Sequence, residues 1–112
     1  MNSTKWREVW SAAAARRLRF SIDWVWEPEG ARDALYAPVA AARLTRTGFR
    51  DPGPTGAGPC EFREIYRVRF SKGLGDVDGF RADLTRLGKL PVEETESHFE
   101  LCGYQPLVHS RP

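Results

Sequence analysis

Little in this chain advertises chemistry. It has two cysteines and two histidines in 112 residues. Cys60 and Cys102 cannot build a disulfide scaffold, and their spacing matches no zinc knuckle. In a reducing compartment both are expected as thiols. No apolar run approaches the ~18 residues that a membrane span needs. Charged Lys5, Arg7 and Glu8 interrupt any apolar signal core near the start. A cytoplasmic protein with no membrane partner is therefore expected. The net charge of +2 is too small to make nucleic acid or anionic lipid the default partner. Gly73-Leu74-Gly75 stands without the rest of any phosphate-binding motif, and no nucleophile elbow is present. No catalytic residue, metal site or cofactor is expected, and the chain reads as a non-enzyme.

What is present is material for a core. Hydrophobic residues make up 41% and charged residues 29%, with four Trp, six Phe and three Tyr. That is enough apolar surface to offset the entropy of ordering one small domain over residues 1–112.

The spacing of Trp6, Val9, Trp10, Ala13 and Ala14 predicts a helix over residues 4–16 with Thr4 as N-cap. Arg16 and Arg17 then suit its negative pole. From 17 to 27 the period changes to two, with Leu18, Phe20, Ile22, Trp24 and Trp26 alternating with polar residues, which predicts a strand. Ala31–Tyr36 suits a short helix that Pro38 ends, and residues 39–48 suit a strand. Arg50–Pro59 holds three prolines and three glycines and reads as a flexible hairpin loop over 50–59. Glu61–Phe70 is a second strand, with Phe62, Tyr66, Val68 and Phe70 on one face and Arg63, Arg67 and Arg69 on the other. Asp76 can cap a helix over 77–87 that Gly88 ends. Val92–Tyr104 is a third strand, carrying Glu94, Glu96, His98, Glu100 and Cys102 on its polar face. The tail 105–112 reads as frayed.

The last three elements form a strand–helix–strand unit, for which a parallel pair with a right-handed crossover is expected. Cys60 and Cys102 would then lie about 30 Å apart at ~3.3 Å per residue. The fold class is α+β: a twisted mixed sheet of about four strands with two helices on one face, roughly ferredoxin-like. The expected core is Trp6, Trp10, Leu18, Phe20, Ile22, Trp24, Tyr66, Val68, Phe70, Phe80, Leu84, Leu87, Phe99 and Leu101.

Three constellations bear on function. His98 and Cys102 stand four residues apart, about 13 Å along a strand, too far for a nucleophile–base hydrogen bond; His109 lies in the tail. Glu93, Glu94, Glu96 and Glu100 offer an acidic partner-binding face for a basic protein. If their strand neighbours the one carrying Arg63, Arg67 and Arg69, the two rows pair across the sheet instead, at roughly 0.2–1 kcal/mol each. Arg16, Arg17, Arg19, Arg43, Arg46 and Arg50 help give the first fifty residues nine cations against five carboxylates. An alternative nucleic-acid face would use Arg17, Arg19, Arg63, Arg67 and Arg69. Single-stranded platforms interleave aromatics with bases, however, and here the aromatics take the core-facing register.

Asn2-Ser3-Thr4-Lys5-Trp6 resembles the N-T-K-W start of a family of small uncharacterised bacterial proteins. That family also has a strand like Ile65-Tyr66-Arg67-Val68-Arg69 followed by a helix, and an acidic strand ending in Gly-Tyr, as Gly103-Tyr104 does here. The resemblance implies an immunity-type protein that neutralises a toxin by binding it, with no catalytic residues to carry over. The leading expectation is a non-catalytic protein-binding module, an immunity or regulatory partner steered electrostatically to a protein such as a basic toxin. A homodimer through an edge strand is also open.

Overall fold

The structure is a computed structural model and describes residues 1–26, 35–50 and 59–104. It is α+β. Helix α1 (Ser3–Ala15) leads into strand β1 (Arg19–Trp24); β2 (Leu35–Tyr36) runs into a short helix α2 (Ala37–Ala41). Strands β3 (Gly48–Phe49) and β4 (Cys60–Glu61) pair as a separate antiparallel ribbon. A 3-10 turn at Phe62–Glu64 enters β5 (Ile65–Ser71), followed by α3 (Val77–Arg86), β6 (Val92–Glu94) and β7 (His98–Cys102). The main sheet has the order β2-β1-β5-β7-β6, with every neighbouring pair antiparallel.

This corrects the expected mixed sheet of about four strands and two helices. The expected third strand is a hairpin: Thr95 closes a turn, its backbone N–H and hydroxyl both donating to the His98 carbonyl at 2.8 and 3.1 Å. The chain leaving α3 does run parallel to β5 along β6. It then folds back, and β7 inserts between them as an antiparallel neighbour of both. Cys102 therefore stands opposite Arg67, the parallel alignment that would separate the cysteines by about 30 Å is absent, and no disulfide joins them. The element order also differs from the β-α-β-β-α-β order of a ferredoxin-like fold.

Local chemistry explains the other differences. The N-cap of α1 is Asn2, whose Oδ1 accepts from the Lys5 backbone N–H at 2.9 Å, two residues ahead of Thr4. Residues 37–41 are helix rather than strand because Pro38 sits in the first turn, where a missing N–H costs nothing. A bulge shifts the β1–β5 register between Asp23 and Trp24. The bulge puts Ile65 in the core and leaves Tyr66 half-buried. Leu87 also packs at the core's margin rather than within it. Asp76 caps α3 as expected, accepting from the Gly79 N–H at 3.0 Å. Most of the loop at 50–59 and the whole tail 105–112 lie outside the described residues.

One face of the sheet is covered by α1 and α3. Phe20, Phe70 and Phe99 stand in one row across β1, β5 and β7. Trp10 of α1 meets Phe20 and Phe70 edge-on, with ring centroids 4.7 and 5.2 Å apart, and Phe49 of the small ribbon at 5.2 Å. Phe80 of α3 continues the chain of rings to Phe70 and Phe99 at 5.1 and 5.3 Å. The start of α3 is tied to the end of α1: the Asp76 N–H donates to the Arg16 carbonyl at 2.9 Å. Gly75, at φ +91°, has room for no Cβ against the Arg16 and Arg17 carbonyls. No helix among the described residues is long and apolar enough to cross a membrane.

Trp10→Ala should cost about 3–5 kcal/mol, because it removes a ring that packs α1 against both the main sheet and the small ribbon. Denaturant unfolding of the variant against the parent measures it; a loss below about 1 kcal/mol would mean that Trp10 is not the centre of the core.

Candidate functional site

The face of the sheet opposite α1 and α3 carries the charges. Its centre is a carboxylate that lies among the polar positions of the 17–27 alternation and belongs to none of the three constellations. Asp23 on β1 is 1% exposed. Its Oδ2 accepts from Arg67 Nε at 2.5 Å and from Arg69 Nη1 at 3.1 Å, while Oδ1 is buried without a hydrogen-bond partner. Burying a carboxylate is costly unless it is paired, and β5 supplies both cations because Asp23 stands opposite Arg67 in the register. On the other side of β5, Glu100 stands opposite Arg69 and lies 3.3 Å from its Nε and 4.0 Å from Arg67 Nη1. The Asp23 hydrogen bond holds the Arg67 guanidinium above its usual pKa. Two carboxylates and two guanidiniums thus neutralise one another. The expected pairing of Arg and Glu rows across neighbouring strands is present here at Arg69–Glu100.

The four acidic candidates do not form one site. Glu94 on β6 is held by Arg81 of α3, with Nη2–Oε2 at 2.7 Å and Nε–Oε1 at 3.0 Å, and by Lys72 Nζ at 2.6 Å. These contacts, Arg81 first, pull its pKa from the ordinary 4.5 to about 2. Glu100 belongs to the Asp23 network. Glu93 and Glu96 are exposed, on β6 and in the hairpin turn respectively. Neither has an ion-pair partner among the described residues. All three residues of β6, an outermost strand, are exposed, including Val92 at 37%.

The basic candidates divide in the same way. Arg67 and Arg69 are neutralised, and Arg63 lies 2.5 Å from Glu61. Arg17 and Arg19 remain. Arg19 stands opposite Tyr36 with its guanidinium carbon 5.7 Å from the ring centroid, and Arg17 Nη1 is 3.5 Å from the Tyr36 hydroxyl. Tyr36, in a segment of ambiguous pattern, was not singled out from the sequence. Arg16 spans from α1 to α3, donating to Asp83 at 2.9 Å and Asp76 at 2.8 Å. Its hydrogen bond to Asp83 leads the contacts that hold this nearly buried carboxyl below its ordinary range.

His98 Nδ1 lies 2.9 Å from Ser97 Oγ, and its Nε2 lies 3.8 Å from Glu100 Oε1. This resembles the order of a hydrolytic triad, but Glu100 is committed to Arg69, and His98 lines none of the three cavities described. The roomiest of these, about 820 Å³, is lined by Trp26, Phe49, Arg50, Cys60, Arg63 and Glu64 among others. Burial pushes the Cys60 thiol up to about 11, which keeps it from acting as a thiolate near neutral pH. Trp26, the last of the alternating apolar residues of 17–27, is 44% exposed at this cavity, and its Nε1 donates to Glu64 at 3.2 Å. No group of three or more potential metal ligands occurs among the described residues. Comparison with protein-family models, curated proteins and solved structures finds no match for this chain.

Two outcomes are expected. Asp23→Ala should destabilise the protein by on the order of 2 kcal/mol, less than for a fully buried pair because both arginines keep contact with water; chemical denaturation measures it, and a neutral result would show that the network contributes no net stability. Glu94 has a folded-state pKa below its ordinary value, so its contribution is complete above about 4.5 and disappears as pH falls toward about 2. Melting temperature followed through that window should fall, and Glu94→Gln should flatten the curve; an unchanged slope would remove Glu94 from the acid transition.

Proposed function

We propose that this chain is a non-catalytic protein-binding module, an immunity-type or regulatory partner in the cytoplasm. It meets a basic protein surface through the β6–β7 hairpin. The supporting observation is that Glu93 and Glu96 project from an edge hairpin with no cation of their own among the described residues. Uncompensated charge at a rim accelerates encounter with an oppositely charged surface and is screened by salt. Glu94 and Glu100 act within the fold, orienting the hairpin against α3 and β5. The nucleic-acid reading has less support, because three of its five arginines face carboxylates of the same chain.

Affinity capture with the whole chain from a lysate of its native cells, with nuclease, should retain a basic protein at low salt and lose it at high salt. Association of that protein with a Glu93→Lys/Glu96→Lys variant should be at least about tenfold slower at low salt and little changed at high salt. Retention of nucleic acid alone, or an association rate indifferent to both substitutions, would refute this reading.

A further inference from the structure

Charge on the outer sheet face is balanced in the middle and unbalanced at the two ends. Asp23, Arg67, Arg69 and Glu100 close on themselves across β1, β5 and β7. Beyond them, at the β1–β2 end, Arg17 and Arg19 flank Tyr36 with no carboxylate in ion-pair contact among the described residues. At the β6–β7 end, Glu93 and Glu96 are the uncompensated groups.

Both ends hold their charge at a local cost. Arg17 has φ +58°. It follows the α1 C-cap, where its N–H donates to the Ala14 carbonyl and the Leu18 N–H to the Ala13 carbonyl, at 3.0 and 3.1 Å. This closure puts its central residue in the left-handed region, where glycine is the least strained choice. Glu93 stands directly opposite Glu100, a like-charge cross-strand pair that disfavours the sheet. The fold alone would be served better by glycine at 17 and by a neutral or cationic residue at 93. Residues kept against local stability are candidates for a role outside the fold, and the two ends are complementary in sign.

We propose that these ends are the two halves of an interface between copies of this chain, the Arg17–Tyr36–Arg19 end of one meeting the Glu93–Glu96 hairpin of the next. The inference rests on the reading of the hairpin as a contact surface and names a second copy as its occupant. The guanidinium forks suit carboxylates. Tyr36 lies on edge strand β2 with Arg19 one strand inside it on β1, and Glu93 lies on the opposite edge strand β6, so Arg19 and Glu93 are three strand spacings apart, about 14 Å at ~4.8 Å per spacing. Two copies joined edge to edge by one such contact therefore each keep one end free, so the contact is heterologous and propagates. Because the contacts are exposed ion pairs, association is weak and salt-sensitive.

The test is sedimentation of the full chain over a range of concentrations at low and high salt. The expected result is a mass that rises with concentration at low salt, without stopping at a dimer, and a monomer at high salt. Arg17→Glu/Arg19→Glu and Glu93→Lys/Glu96→Lys should each remain monomeric, and an equimolar mixture of the two variants should recover association, since each then carries one charge sign at both ends. Arg17→Gly keeps the variant set from being confounded by misfolding: it should melt at a higher temperature than the parent and still associate at least threefold more weakly. A monomeric parent at every concentration, a closed dimer, or a variant mixture that stays monomeric would each overturn the proposal. If the parent is monomeric while Glu93→Lys/Glu96→Lys still slows binding of a basic protein, self-association fails and the hairpin reading stands. If neither responds, both fall.

Discussion

The structure depends on the contact of Trp10 with Phe20, Phe70 and Phe49. This side chain of α1 joins β1 and β5 of the main sheet to the small β3–β4 ribbon. The edge-on geometry of these rings places the positive rim of one against the negative face of another, which orients the helix as well as holding it. Phe80 extends the same chain of rings to Phe99, so α3 and β7 are positioned by it too. The Trp6 and Trp10 indole nitrogens are buried without hydrogen-bond partners, a cost that the aromatic packing offsets.

With one face committed to aromatics, the other had to carry the charge, and register decides what that charge can do. The alignment of β1 with β5 brings Asp23 to Arg67, and that of β5 with β7 brings Arg69 to Glu100. These pairings withdraw Arg67, Arg69 and Glu100 from external use. Arg17 and Arg19 beside Tyr36, and Glu93 and Glu96 on the β6–β7 hairpin, are left without an ion-pair partner among the described residues. The candidate site is thus defined by topology: the same residue types are structural in the middle of the sheet and available at its edges.

Several elements were legible from residue pattern because local chemistry is decisive in them. The indole and alanine spacing of α1, the alternation of Phe20, Ile22 and Trp24, and the Asp76 cap and Gly88 stop of α3 depend on near neighbours in the chain. The β6–β7 turn was not legible. Glu94, Glu96, His98 and Glu100 alternate as a continuous strand would, and only the Thr95 hydrogen bonds to His98 reveal the reversal. Residues 37–41 misled for the opposite reason: Pro38 is a stop signal inside a helix and a start signal in its first turn. The Tyr66 position failed because a bulge shifts facing by one residue, and a period-two pattern has no means of showing it.

The amino-acid sequence by itself determined the α+β class, the ring-rich core, the two main helices and the presence of opposed acidic and basic groups. Each of these follows from composition or from periods of two and 3.6, which act over a few residues. The tertiary structure alone decided the antiparallel order, the burial of Asp23 and the division of the charged residues into paired and unpaired sets. These are relations between segments far apart in the chain, as in the pairing of Asp23 with Arg67, 44 residues on. Strand order and register arise only when all segments compete for the same buried face, and no local pattern encodes that competition.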